Sequence, residues 1–337
     1  MLFMQIVVGG ITRLTGSGLS ITKWEIITGT LPPMTDASWQ EAFDEYKETP
    51  QYEKINLDME MGNIYTSGTF KFIFFWEYIH RLWARLMGFV FLFPCLLFIA
   101  LKWVDKPLLK RLGIVILLAA LAATFGWIMV ASGLIERPWV NAYKLAMHLC
   151  IGISVFAMML WTCFYAYDIK RIDISPRIKR SYVWFTVLIA VQIFFGGVMS
   201  GMKAGLFYPT WPDMNGEFIP QIVLDISQYT VDNFNNYDQN TLLPSLIQVL
   251  HRSTAYILTI SGLYIFWSSF NTLKFNGNGM VGILFISLLI SQVILGILTL
   301  VNCKGSIPVE LGALHQGLAV LLLGVCLFHN YMFKRQV

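Results

Sequence analysis

Seven runs of predominantly apolar residues recur along this chain, at 72–101, 112–134, 142–167, 182–202, 246–270, 280–301 and 311–333. As helices, runs of about 20 residues cross the roughly 30 Å hydrocarbon core of a bilayer. Of the 337 residues 56% are hydrophobic and 13% charged, against roughly a quarter charged in an ordinary soluble domain. A water-soluble fold of this size cannot hide that much apolar surface, so soluble enzyme classes drop out. The runs are continuous rather than alternating, which excludes a transmembrane β-barrel. The remaining class is an all-α, polytopic membrane protein.

A shorter apolar segment, 1–14, would span only about 21 Å at 1.5 Å per residue. It reads as the end of a helix that begins upstream, and counting it gives eight spans. The start shows neither a cleavable secretory leader nor an Arg-rich transit peptide. The net charge of +4 decides little, but its distribution decides orientation. Lys102, Lys106, Lys110, Arg111, Lys170, Arg171, Arg177, Lys179, Arg180, Lys274, Lys334 and Arg335 fall on one side, opposed only by Asp105, Asp168 and Asp173. Loop 15–71, on the other side, carries Glu41, Asp44, Glu45, Glu48, Glu53, Asp58 and Glu60. The positive-inside rule puts both termini in the cytoplasm, or its organellar equivalent, and loops 15–71 and 203–245 outside. In the first loop Trp39, Phe43 and Tyr46 recur at helical spacing up to Pro50. They predict an amphipathic helix, lying on the membrane surface or capping the bundle.

The chain also repeats itself. Gln5, Gly9, Gly10, Gly18, Leu19, Trp24, Gly29 and Pro33 recur 187 residues later as Gln192, Gly196, Gly197, Gly205, Leu206, Trp211, Gly216 and Pro220. His80-Arg81 recurs as His251-Arg252 and His148 as His315, and Gln292 with Gly296 repeats the Gln-xxx-Gly pattern once more. Two tandem four-helix bundles follow, 1–171 and 172–337. Each has an even number of spans, so both share one orientation about an axis along the membrane normal. The glycines read first as points of close helix approach.

Ionisable residues inside spans are costly and mark function. His80, His148, His251 and His315 each lie alone on a span, several residues from its outer end. Two imidazoles facing across each apolar bundle suit axial ligation of heme iron. A zinc or other cation site would need more Asp, Glu or Cys at that level, and Glu77 is the one carboxylate inside a span. A quinol-oxidising diheme cytochrome b would put two histidines on each of two helices, not one on each of four. Arg81 and Arg252, and with less claim Arg85 and Lys144, are cations placed to meet heme propionates or to hold helix interfaces. His329 lies near the inner end with no repeat partner and reads as interfacial. The five cysteines contain no CxxC, against a zinc ribbon or disulfide scaffold, and read as small apolar residues. No basic run with interleaved aromatics points to nucleic acid.

At these residues the chain resembles the heme A synthase family. The resemblance runs in order through residues 9–20 with Trp24 and Pro32-Pro33, residues 70–81, residues 126–134, His148-Leu149, His251-Arg252 and His315-Gln316. It implies stepwise oxidation of a methyl group of heme O to the formyl group of heme A, for terminal oxidases. It places a prosthetic heme b at His251 and His315. Substrate heme O falls at His80 and His148, with Glu77 near the reacting iron. Implied partners are the heme O synthase, an electron donor of ferredoxin or other type, and the bilayer; a homo-oligomer stays open. A bacterial plasma membrane ranks ahead of a mitochondrial inner membrane, and the subtype resembles that of proteobacteria and mitochondria. Two departures stand out. Loop 15–71 has no cysteine, so no disulfide is available there, and Ala122 stands where Gln292 would set a glutamine. The alternative is a heme-binding or heme-carrying membrane protein without chemistry of its own; a metal transporter ranks third.

Overall fold

The computed structural model describes residues 1–23, 30–134 and 138–335. Trp24 and Gly29 of the repeat lie outside the described residues. The chain is helical, in the order α1 (Leu2–Leu14), α2 (Asp36–Lys47), α3 (Pro50–Lys54), α4 (Phe70–Ala100), α5 (Lys106–Gly133), α6 (Ala142–Ala166), β1 (Ile172–Ile174), α7 (Pro176–Gly201), α8 (Gln221–Leu224), α9 (Val231–Asn235), α10 (Leu242–Phe275), α11 (Gly279–Val301), α12 (Val309–Met332) and β2 (Phe333–Arg335). Among the described residues six helices, α4 to α7, α11 and α12, are long and apolar enough to cross a membrane. Of the eight expected spans, α1 is a helix of 13 residues. Helix α10 has the length, at 34 residues, but Gln248, His251, Arg252 and Thr254 dilute its apolar run.

Local chemistry sets the ends. The side chains of Asp105, Asn141 and Ser175 accept backbone N–H groups in the first turns of α5, α6 and α7, satisfying donors that have no partner inside the helix. Pro94 inside α4 removes one backbone bond, a local weakness in an otherwise continuous helix.

Helices α7, α10, α11 and α12 close into a ring, each packed on the next. Tyr182, Phe185, Leu258, Phe285, Leu289 and Val320 form part of its core. Lipid tails are as apolar as leucine, so in a bilayer this packing rests on van der Waals fit rather than on hydrophobic burial. In the first half α1 packs on α4, and α5 on α6. Helix α4 forms no packed seam with α5, and only 6% of the most apolar window of each is buried, against 17–33% for α6, α7, α11 and α12. The halves meet where α1 lies on α12 and α6 on α7 and α12. Arg13 of α1 reaches across, donating from Nη2 to the carbonyls of Ser200 at 2.7 Å and Gly201 at 2.8 Å. It thereby satisfies carbonyls in the last turn of α7, and Ser200 is the residue its own repeat offset reaches. On the short-loop side β1 pairs with β2 in parallel, Ile172 opposite Phe333.

The amphipathic helix takes the capping option. Phe43 and Tyr46 of α2 are buried against Phe70, Ile73 and Phe74 of α4, with Tyr46 and Phe70 stacked at 5.2 Å. The Tyr46 hydroxyl donates to Gln51 Oε1 and accepts from Asn56, and burial pushes its pKa up to about 12. His329 is not interfacial but fully buried, stacked on Tyr182 at 4.7 Å with Phe285 and Phe333 beside it. Its residence in that aromatic cage is what a packed imidazole does; charge at an interface has no part in it.

Candidate functional site

All four histidines named from the sequence line one cavity of about 1570 Å³. His80 is on α4, His148 on α6, His251 on α10 and His315 on α12. Each ring rests against a glycine of a neighbouring helix. A Cβ added to Gly9 would stand 2.9 Å from His80, on Gly126 3.0 Å from His148, on Gly196 3.3 Å from His251 and on Gly296 2.9 Å from His315. Gly9, Gly126, Gly196 and Gly296 are thus seats for imidazole rings, while Gly197 is a point of close helix approach, against Ala146 and Leu149.

Four residues before three of these glycines stands a glutamine. Gln5 donates to the His80 carbonyl at 3.2 Å. Gln192 donates to the His251 carbonyl at 3.0 Å and lies 3.2 Å from its Nε2. Gln292 lies 3.4 Å from His315 Nε2. The fourth seat has Ala122, so His148 lacks the amide. Gln192 alone holds both the carbonyl and the ring of its histidine.

The donor set fits heme. The rings of His251 and His315 have centroids 6.4 Å apart. Two collinear metal–imidazole bonds of about 2 Å, plus about 1 Å to each ring centre, give about 6 Å between centroids. Among the described residues no group of three His, Cys, Asp or Glu side chains could hold a cation.

Glu77 is buried, in the wall of the same cavity. Its Oε2 accepts from the backbone N–H of Ser20 at 2.7 Å, the Ser20 hydroxyl at 2.7 Å and the Ile21 N–H at 3.0 Å. Its Oε1 accepts from Arg81 Nη2 at 2.6 Å. Arg81 also donates to the carbonyls of Ile21 and Lys23. The second half repeats this clamp: Arg252 donates to the carbonyls of Tyr208, Thr210 and Asp213, and Tyr208 and Thr210 are Ile21 and Lys23 at the repeat offset. Gln248, in the place of Glu77, donates to the Tyr208 carbonyl at 2.8 Å. Both arginines therefore strap the segment after the first helix of their half across the cavity's outer end. Breaking a buried pair such as Glu77 with Arg81 costs about 3–5 kcal/mol. Arg252 keeps one buried donor, Nε, without a partner. Arg85 is in the cavity wall; Lys144 is not.

Four imidazoles around an apolar cavity, among helices of membrane-spanning length, mark a polytopic helical membrane protein. The particular family follows from comparison: the chain belongs to the cytochrome oxidase assembly protein family, which matches residues 1–327. Proteins named heme A synthase are similar over nearly the whole chain. That of Nitrosospira multiformis is 36% identical, covering all of this chain and 91% of its own length. That of Flavobacterium johnsoniae is 37% identical, covering 96% and 92%. That of Pelagibacter ubique is 36% identical, covering 96% and 90%.

Proposed function

We propose that this protein is an oxidoreductase that converts heme O to heme A in the assembly of cytochrome oxidase. The observation that carries the reading is the set of four glycine-seated histidines around one apolar cavity, in a chain whose relatives are named for that synthesis. His251 and His315 hold a resident heme b, supported by ring spacing and glutamine seats. His80 and His148 receive substrate heme O. A bound heme supplies the redox chemistry. The chain's own residues bind, orient and shield. Glu77 is the ionisable group at the substrate half; a carboxylate there can take or pass a proton, once its contact with Arg81 loosens. Arg252 Nε is the donor best supported for a propionate, with Arg81 its counterpart in the first half.

The finer architecture belongs to the same proposal. The eight helices α1, α4 to α7 and α10 to α12 form two tandem four-helix bundles, 1–171 and 172–337, in one orientation. Both termini lie on the cytoplasmic side, a reading supported by loop charge, and the membrane is a bacterial plasma membrane. The heme O synthase and an electron donor of ferredoxin or other type are its working partners. The test is expression in a host that makes heme O but not heme A, with chromatography of extracted hemes. Heme A in the extract is expected. Heme O alone, with a loaded protein, leaves a heme carrier.

A further inference from the structure

The two halves differ at one seam. In the second half α11 packs on α10, and a Cβ on Gly262 of α10 would collide with Leu289 of α11. Gly126 and Gly296, each seating a histidine, align α5 with α11; His80 and His251 align α4 with α10. The residues matching Leu289 and Gly262 are then Ala119 and Phe91, and α4 and α5 share no such contact. Ala122 and Ala123 likewise replace Gln292 and Val293. A Cβ added to Gly88, in the cavity wall, meets nothing within 4 Å. Val90 on α4 and Ile116 on α5 line the cavity and are 58% and 44% exposed. The wall of the cavity around His80 and His148 is thus apolar and loosely packed between α4 and α5.

The axial route is obstructed. Ser20 and Ile21 are tied to Glu77 and Arg81, and α2 and α3 are packed on the end of α4. A lateral gap costs little in lipid, because each helix satisfies its own backbone and acyl chains can fill the opening.

We propose that the gap between α4 and α5 is a lateral portal, with Val90 and Ile116 as its posts, through which a heme bearing a long apolar tail enters from the bilayer. This rests on the reading above that His80 and His148 receive heme O. The occupant follows from continuity: the mouth leads to those histidines, and both its walls and the tail are apolar.

The test is loading kinetics. Full-length protein carrying its second-half heme, in nanodiscs, is mixed with vesicles containing heme O, and its absorption is followed. Val90→Trp with Ile116→Trp should load about tenfold slower or more, the scale set by overpacking a contact. Val90→Ala with Ile116→Ala should load at least as fast as the parent, and second-half heme should stay constant in every variant. A photoreactive side chain at Ile116 should crosslink to heme O, and one at lipid-facing Ile290 should not. Parent-like loading of the Trp variant, or equal crosslinking at the two positions, overturns the portal and leaves the function standing. Failure of the parent to bind heme O at all overturns the function itself.

Discussion

In the second half Leu289 fills the notch at Gly262, the ring of helices closes, and two glutamines approach two histidine rings. In the first half the matching residues are Ala119 and Phe91, the ring stays open, and Gln5 is the one glutamine at a histidine, with Ala122 in the fourth position. At the clamp Gln248 stands where the first half has Glu77. One duplicated scaffold thus carries two sites of opposite character. The closed and doubly braced one, with no buried carboxylate, suits a group that stays. The open one, with a buried carboxylate and fewer braces, suits a group that comes and goes. On α5 Ala119, Ala122 and Ala123 stand where α11 has Leu289, Gln292 and Val293, and on α4 Phe91 removes the notch that Gly262 offers to Leu289.

The largest expected effect breaks the closed half. His251→Ala or His315→Ala removes one of two rings spaced for axial ligation, and purified protein should lose its low-spin bis-histidine absorption altogether. Full retention of that spectrum in either variant would move the resident heme to the other half.

Glu77→Gln gives the first half the amide that the second already carries. General acid or base catalysis is worth about 10²–10⁴-fold, so heme A yield should fall at least about a hundredfold with heme b content unchanged. Gln248 shows that an amide is tolerated at this position in the scaffold. Both quantities are measured in one preparation. Parent-level yield, or loss of heme b together with yield, would leave Glu77 only as the clamp on Ser20, Ile21 and Arg81.

The four histidines were legible in the sequence because burying an imidazole in hydrocarbon is costly and the repeat named them twice. The long helices were legible from continuous apolar runs; most ends agree within two residues, while α5 and α7 begin six residues earlier, because their polar first turns carry no apolar signal. The strap was not: that Arg81 and Arg252 would turn to loop carbonyls depends on loop backbone, which has no period to read. The cage around His329 is likewise tertiary, assembled from α7, α11, α12 and β2. The missing seam was present as Ala119, Ala122 and Ala123 against Leu289, Gln292 and Val293. The register of α5 on α11 was already given by Ala122 against Gln292, but which of these residues pack across the seam is tertiary, and shows only where Leu289 meets Gly262.

Opening the closed half is the next smaller test. Leu289→Ala deletes the side chain that meets Gly262 and Phe185. A large-to-small core change costs about 2–5 kcal/mol, and the low end is expected here because lipid chains can enter the space. The variant should unfold at a temperature several degrees lower and exchange its resident heme faster, with the first-half site unaffected. If exchange is unchanged, the α10–α11 seam does not account for retention.

Bracing the open half is the subtlest change. Ala122→Gln supplies the amide that the second half has at Gln292, four residues before the glycine that seats the histidine. Ala122 lines the cavity, so the longer side chain has room to extend toward His148. One added hydrogen bond is worth about 1 kcal/mol, or about fivefold in an equilibrium constant. Heme O should therefore bind a few-fold tighter in the first half and leave more slowly. If release of product limits turnover, heme A formation slows by a similar factor while single-turnover oxidation does not. Titration of heme O into protein retaining its second-half heme gives the affinity directly. Unchanged affinity would mean that the glutamines at Gln192 and Gln292 only hold helices together, and that the halves differ by the seam and the carboxylate alone.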